Sequence, residues 1–259
     1  MSHTEPTRRH ALTTAMGVTA ATTLASVGFL SVPAVAASRS GPDPVKNDEL
    51  KKALRSLEAR RRRLLTGRPS TNGWEMEKQT DAGGSIWTCD VAGTPGPLTV
   101  AVRAGDVATV LTHVIRRFNY EIDALGTKSE APALLGWIHP GKVRDSALPE
   151  SNQASGTAVV IRPTWYTPGA QGGFTDAQKD TVRDILAECE GVVRWGGDDR
   201  RPYEGLFSID VKPGDVRLAK IAGRIRGWNE TPGEGAGTGP DPYQPARKRA
   251  ADRLARQQA

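Results

Sequence analysis

Cysteine is scarce in this 259-residue chain: Cys89 and Cys189 are the only two, and neither belongs to a C-x-x-C pair or a Cys/His cluster. That excludes a thiolate zinc site and a dithiol redox motif. In an oxidising compartment the two thiols could join distant segments as one disulfide, or they could be two unrelated cysteines. Histidine is limited to four residues, and with His3 and His10 near the N-terminus only His113 and His139 serve the rest of the chain. Aromatic residues make up 5% and do not alternate with basic ones, so a nucleic-acid stacking platform lacks its material and no nucleic-acid partner is expected. There is no G-x-S-x-G elbow and no internal repeat, and Ser151 and Ser155 have no credible His partner, so a serine hydrolase has no support. Long apolar runs are missing as well. The uncharged stretch from Ala11 to Ala37 is too rich in Ala and Thr to make a permanent membrane span.

That stretch follows Arg8-Arg9 and ends in Ala34-Val35-Ala36-Ala37. A basic start, a weakly apolar centre and a small-residue end are the marks of a secretion signal. The Arg pair makes it resemble a twin-arginine signal, so a secreted, extracytoplasmic protein is expected. Lys and Arg number 35 against 29 Asp and Glu, a net charge of +6, which favours an anionic partner such as an acidic wall polymer. With 28 Gly, 18 Pro and 37% hydrophobic residues, the composition suits one loop-rich domain.

The expected organisation is a signal over 1–36, a linker over 37–47, a domain over 48–228 and a flexible basic tail over 229–259. Within the domain, Leu50, Leu54, Leu57, Leu64 and Leu65 recur near a helical period, and the Arg60–Arg63 run reads as the solvated end of that helix. Strands are expected at 84–91 and 98–102 around a G-T-P-G-P turn. A helix over 106–125 is capped by Asp106, and further helices are expected over 176–188 and 215–225. Further strands are expected at 157–161 and 206–211. Strands and helices mix without a βαβ rhythm, so the predicted class is α+β, with a mostly antiparallel sheet and flanking helices.

The most informative segment is Ser151-Asn152-Gln153-Ala154-Ser155-Gly156-Thr157-Ala158-Val159-Val160. It resembles the S-x-H-x-x-G-x-A-x-D signature of the zinc D-alanyl-D-alanine carboxypeptidases and VanY-type D,D-peptidases. The stretch Thr167–Gln178, the run Gly191–Asp198, the segment Phe207-Ser208-Ile209-Asp210 and Pro213-Gly214 follow in matching order. The resemblance covers about residues 135–228 and implies a zinc D,D-peptidase-like fold of the hedgehog/D,D-peptidase type. In that family a His and an Asp seven residues later ligate zinc, a later His completes the set, and an acidic residue three positions before it is the general base.

Placed on that template, the ligand positions hold Gln153, Val160 and Leu206, and the base position holds Tyr203. Val160 and Leu206 have no lone pair, so neither zinc nor another cofactor is expected. Glu204 is a possible stand-in base. His139 falls where the family's substrate-binding Arg would lie, and Arg144 or Lys142 could replace that Arg. Ser151, Asn152, Gln153, Arg144 and His139 are therefore the candidate cleft residues. The resemblance thus implies an exported, monomeric, catalytically inactive pseudo-peptidase that binds peptidoglycan or another cell-wall component. The alternatives are an active D,D-carboxypeptidase with relocated ligands, for instance His139, Glu150 and Glu204, and a scaffold that binds anionic polymer through its basic ends.

Overall fold

The computed structural model describes residues 44–126 and 132–258. The expected secretion signal over 1–36 lies outside the described residues. Helix α1 spans Pro44–Leu64, four residues earlier than the sequence suggests, with Pro44 at a first-turn position where its missing N–H costs nothing. Residues from Asp48 onward form one compact unit. Strands β1 (Leu65–Pro69) and β2 (Glu75–Glu77) make an antiparallel hairpin that the sequence does not announce, because Gly67 and the S-T-N-G turn dominate its composition. The expected pair at 84–102 forms as β3 (Ile86–Asp90) and β4 (Thr99–Arg103), in unbroken antiparallel register.

Helix α2 (Asp106–Glu121) buries Val107, Val110, Leu111, Val114, Ile115 and Phe118. Its N-cap is Gly105, not Asp106; the Asp106 carboxylate lies in the first turn and pairs with Arg226 at 2.9 Å. The central sheet has the order β5-β6-β8-β7, formed by β5 (Leu134–Leu135), β6 (Ala158–Ile161), β8 (Leu206–Ile209) and β7 (Val193–Trp195), with every pair antiparallel. Both β6 and β8 are buried along their whole length, as central strands covered on two faces must be. A single helical turn, α3 (Ser151–Ala154), precedes β6. Helix α4 (Asp176–Glu188) starts on a full capping box between Thr175 and Gln178, and α5 (Val216–Glu230) starts on Asp215. The architecture is therefore α+β, with small antiparallel sheets and flanking helices.

The C-terminal region departs from expectation. Residues 245–258 form α6 (Pro245–Gln258), which packs on α4 instead of trailing as a flexible tail. Ala251 is buried, Leu254 joins the core, and Arg247 donates to both Asp184 oxygens at 2.7 and 2.5 Å. The Gln258 side chain also donates to the Val193 carbonyl at 3.0 Å. Among the described residues no helix is long and apolar enough to cross a membrane.

Candidate functional site

The floor of the candidate site comes from two strands and one turn. Val160 on β6 faces Leu206 on β8 directly across the ladder, and both are buried. The turn before β8 is tight: Leu206 N–H donates to the Tyr203 carbonyl at 2.9 Å, and Tyr203 N–H donates to the Gly196 carbonyl at 2.8 Å. This geometry packs Tyr203 with Val160, Leu206 and Ala158 in one apolar cluster, against which Leu135 of β5 rests. Gln153 sits one strand away on α3, nearly buried, and its amide nitrogen donates to the carbonyls of Leu135 at 3.2 Å and Gly136 at 3.0 Å. Three of the four positions at which the family resemblance places zinc chemistry thus share one cluster, and the fourth is tied to its edge.

These side chains do not fit a zinc ion. Val160 and Leu206 carry no donor atom, and the Gln153 amide is occupied in satisfying backbone carbonyls. The Tyr203 hydroxyl is pushed up to about 12 by burial and then by the nearby Glu150 carboxylate, so it stays protonated and cannot take a proton as a base near neutral pH. Among the described residues no three His, Cys, Asp or Glu side chains converge in a way that could hold a metal.

Above Tyr203 and Leu206 opens a cavity of about 290 Å³, walled by Leu148, Pro149, Pro168, Glu150, Asp199, Arg200 and Arg201. A second hollow of about 200 Å³ shares Leu148, Glu150, Pro168 and Arg201 with it and adds Lys142, Val143, Arg144 and Asp145. The two hollows adjoin along these four shared residues and form one cleft region, apolar at the Tyr203–Leu206 end and charged at the Lys142–Asp145 end. Four cations, Lys142, Arg144, Arg200 and Arg201, rim it against Asp145, Glu150 and Asp199, and Asp199 is already paired with Arg194 at 2.9 Å. Such a cleft can hold a small molecule or a peptide end with apolar side groups and a carboxylate. Arg144 and Lys142, the two cations named as replacements for a carboxylate-binding Arg, both line the second hollow. Arg200 and Arg201 carry no periodic or motif signal and were missed; only their place after the Gly196-Gly197 turn could have hinted at them.

The other candidates have structural duties. Ser151 accepts from Thr71 N–H at 2.9 Å and donates to the Ser146 carbonyl at 2.9 Å, while Asn152 accepts from Asn72 N–H at 3.2 Å. Ser155 is held between Ser70 and Thr157 at 3.0 and 2.8 Å. Together they fasten the β1–β2 turn onto α3 and do not line the cavity. Gly156 must be glycine: its φ is +69°, and a Cβ there would stand 2.8 Å from the Arg103 nitrogen. His139 is exposed and caps a short 3-10 turn, its Nδ1 accepting from Gly141 N–H at 3.0 Å. Glu204, the stand-in base, is nearly buried and accepts from Gly172 N–H at 3.0 Å and Gly173 N–H at 2.8 Å. It anchors a loop, and only Glu150 of the relocated trio faces the cleft.

Cys89 and Cys189 are separate free thiols. Burial, followed by the neighbouring Glu188 carboxylate, pushes the Cys189 thiol up to about 12, which makes it unreactive in the folded protein. The chain matches no protein-family model, no curated protein and no solved structure.

Proposed function

We propose that this is an exported pseudo-peptidase: a zinc D,D-peptidase-like domain that has lost its catalytic set and keeps the cleft as a binding site for cell-wall stem peptides. One observation carries the reading. Val160, Tyr203 and Leu206 are up to 46 residues apart in sequence, yet they meet in one apolar cluster, and Tyr203 and Leu206 line the cavity. A fold that once held a metal there would leave unpaired polar groups after losing it. Replacing them with hydrocarbon removes that cost. The cation-rich rim supports an acidic ligand, and wall peptides carry a terminal carboxylate. The relocated-ligand alternative is weakened because both Glu204 oxygens are taken up by backbone N–H groups.

The test is a titration of the protein with a pentapeptide ending in D-Ala-D-Ala, followed by amide chemical shifts and by assay of free D-alanine. The expected result is saturable shifts at Glu150, Arg201 and Tyr203–Leu206 with no D-alanine released, with or without added zinc. Release of D-alanine would restore the enzyme reading. An unmoved spectrum would remove the peptide ligand.

A further inference from the structure

The loop between β6 and α4 holds a feature that peptide binding does not use. Trp165 is 64% exposed, the most exposed aromatic side chain among the described residues. It is nevertheless firmly held. The Arg162 guanidinium lies 4.4 Å from its ring centre, and the Trp165 backbone N–H donates to the Arg162 carbonyl at 2.9 Å, which fixes the chain at its base. Arg162 itself is only 4% exposed and has a φ of +50°, a conformation bulky residues rarely adopt. Its guanidinium pairs with Asp123 and donates to the Ala124 carbonyl at 2.7 Å. The indole thus rests on a braced cation whose charge Asp123 balances, and most of its surface remains exposed.

The rest of the loop is equally fixed. Tyr166 stacks on Phe174 at 4.5 Å, Gly169 N–H donates to the Pro202 carbonyl at 2.6 Å, and Glu204 holds Gly172 and Gly173. A platform already ordered binds without the entropy cost of ordering it. The loop's composition indicates the kind of ligand. In a chain with 25% charged residues, positions 163–175 carry no charge at all, and Thr164, Thr167 and Gln171 offer exposed hydroxyl and amide groups. A nucleic-acid base would also stack on indole, but positions 163–175 supply no cation of their own for its phosphates. The Arg162 guanidinium under the ring is committed to Asp123 and the Ala124 carbonyl, and Arg201 approaches the loop at Gly169, on the side of the cleft. A flat apolar ring among neutral hydrogen-bonding groups fits the C–H face and hydroxyls of a neutral sugar.

We propose that Trp165 is a stacking platform for a neutral N-acetylated sugar ring, so that the cleft receives its peptide still attached to glycan. The link to the cleft is short: Pro168 walls the cavity, and three residues span at most about 11 Å between Cα atoms. The second half of the proposal rests on the peptide-binding reading, and the first half stands without it.

The experiment uses three probes on the full chain and on Trp165→Ala and Trp165→Phe: the free pentapeptide, the same peptide on its N-acetylated disaccharide, and chitotetraose. The indole N–H resonance of Trp165, assigned by its absence from the variants, and calorimetric affinities are read together. In the wild type, chitotetraose should shift that resonance. The disaccharide-peptide should bind about tenfold tighter than the free peptide, the scale of one added aromatic contact. Trp165→Ala should abolish this advantage and leave free-peptide affinity unchanged, while Trp165→Phe should retain part of it. If the free peptide does not bind but chitotetraose still shifts Trp165, the peptide reading fails and the sugar platform stands. Equal binding of both peptides together with no chitotetraose shift would overturn the proposal.

Discussion

Val160 and Leu206 face each other across neighbouring strands, inside a cluster that offers hydrocarbon on every side. The chemistry of this pair follows from that setting. A carboxylate introduced alone by Val160→Asp would be buried among Ala158, Leu135 and Leu206, away from water and with no cation in the cluster, where the Tyr203 hydroxyl is the sole side-chain donor. The expected loss is on the order of 3 kcal/mol, read as a lowered midpoint in urea unfolding. The triple variant Gln153→His, Val160→Asp, Leu206→His should be less stable still without metal. Zinc should then raise its midpoint sharply and leave that of the wild type unchanged, because three donors converging on one ion turn binding energy into folding energy. A triple variant indifferent to zinc would mean that these positions do not share a coordination sphere, and the alignment with the peptidase template would fall.

At the scale of elements, α6 shows how much stability rests on one contact set. Asp184 on α4 is shared between Arg117 of α2 at 2.9 Å and Arg247 of α6, and the end of α6 reaches β7 through Gln258. Arg247→Ala removes a bidentate ion pair that is only partly open to solvent, so a loss of about 1–3 kcal/mol is expected. Because α6 is rich in Arg and Lys, its release should also appear as faster tryptic cleavage after residues 248–256. These contacts explain what the sequence could and could not disclose. Helix α4 was legible because its signals are local: Thr175, Gln178 and an apolar face. The β3–β4 hairpin was legible for the same reason. In α6 the sequence over 246–258 allows a helix but not its docking, since its partners Asp184 and Val193 lie more than 60 residues away and its own residues are mostly polar. In α1 the leucine period was read correctly but the burial it suggests is absent, for Leu50, Leu54 and Leu57 are 58%, 50% and 61% exposed. The site divides in the same way: the convergence of Val160, Tyr203 and Leu206 has no local signal, since it comes from pairing strands 46 residues apart, and neither has the Arg200-Arg201 rim.

Across the whole molecule, three helices are joined by one buried charge network whose behaviour in acid can be worked out. Glu188 of α4 receives Arg117 at 2.8 Å and the His113 Nε2 at 3.0 Å, and Arg247 stands 3.5 Å away. Burial alone would raise the Glu188 carboxyl, but the His113 hydrogen bond and the Arg117 charge outweigh it and hold the group at about 2. Between that value and the ordinary carboxylate range the unfolded chain binds a proton that the native protein refuses. Stability therefore rises with pH through this window and is lost as pH falls from about 5 to about 2. The Glu188 share is on the order of 3 kcal/mol, and it is fully present at neutral pH. Asp210 acts in the opposite sense, because burial raises its carboxyl, but it does so equally in a variant that keeps it. The growing positive charge of a chain already at +6 also weighs on both proteins alike. The informative quantity is thus the difference between two melting curves. Glu188→Gln should melt well below the wild type at pH 7, and the gap should close as the pH approaches 2. A gap that stays constant over that range would mean that Glu188 contributes by packing and not by its charge.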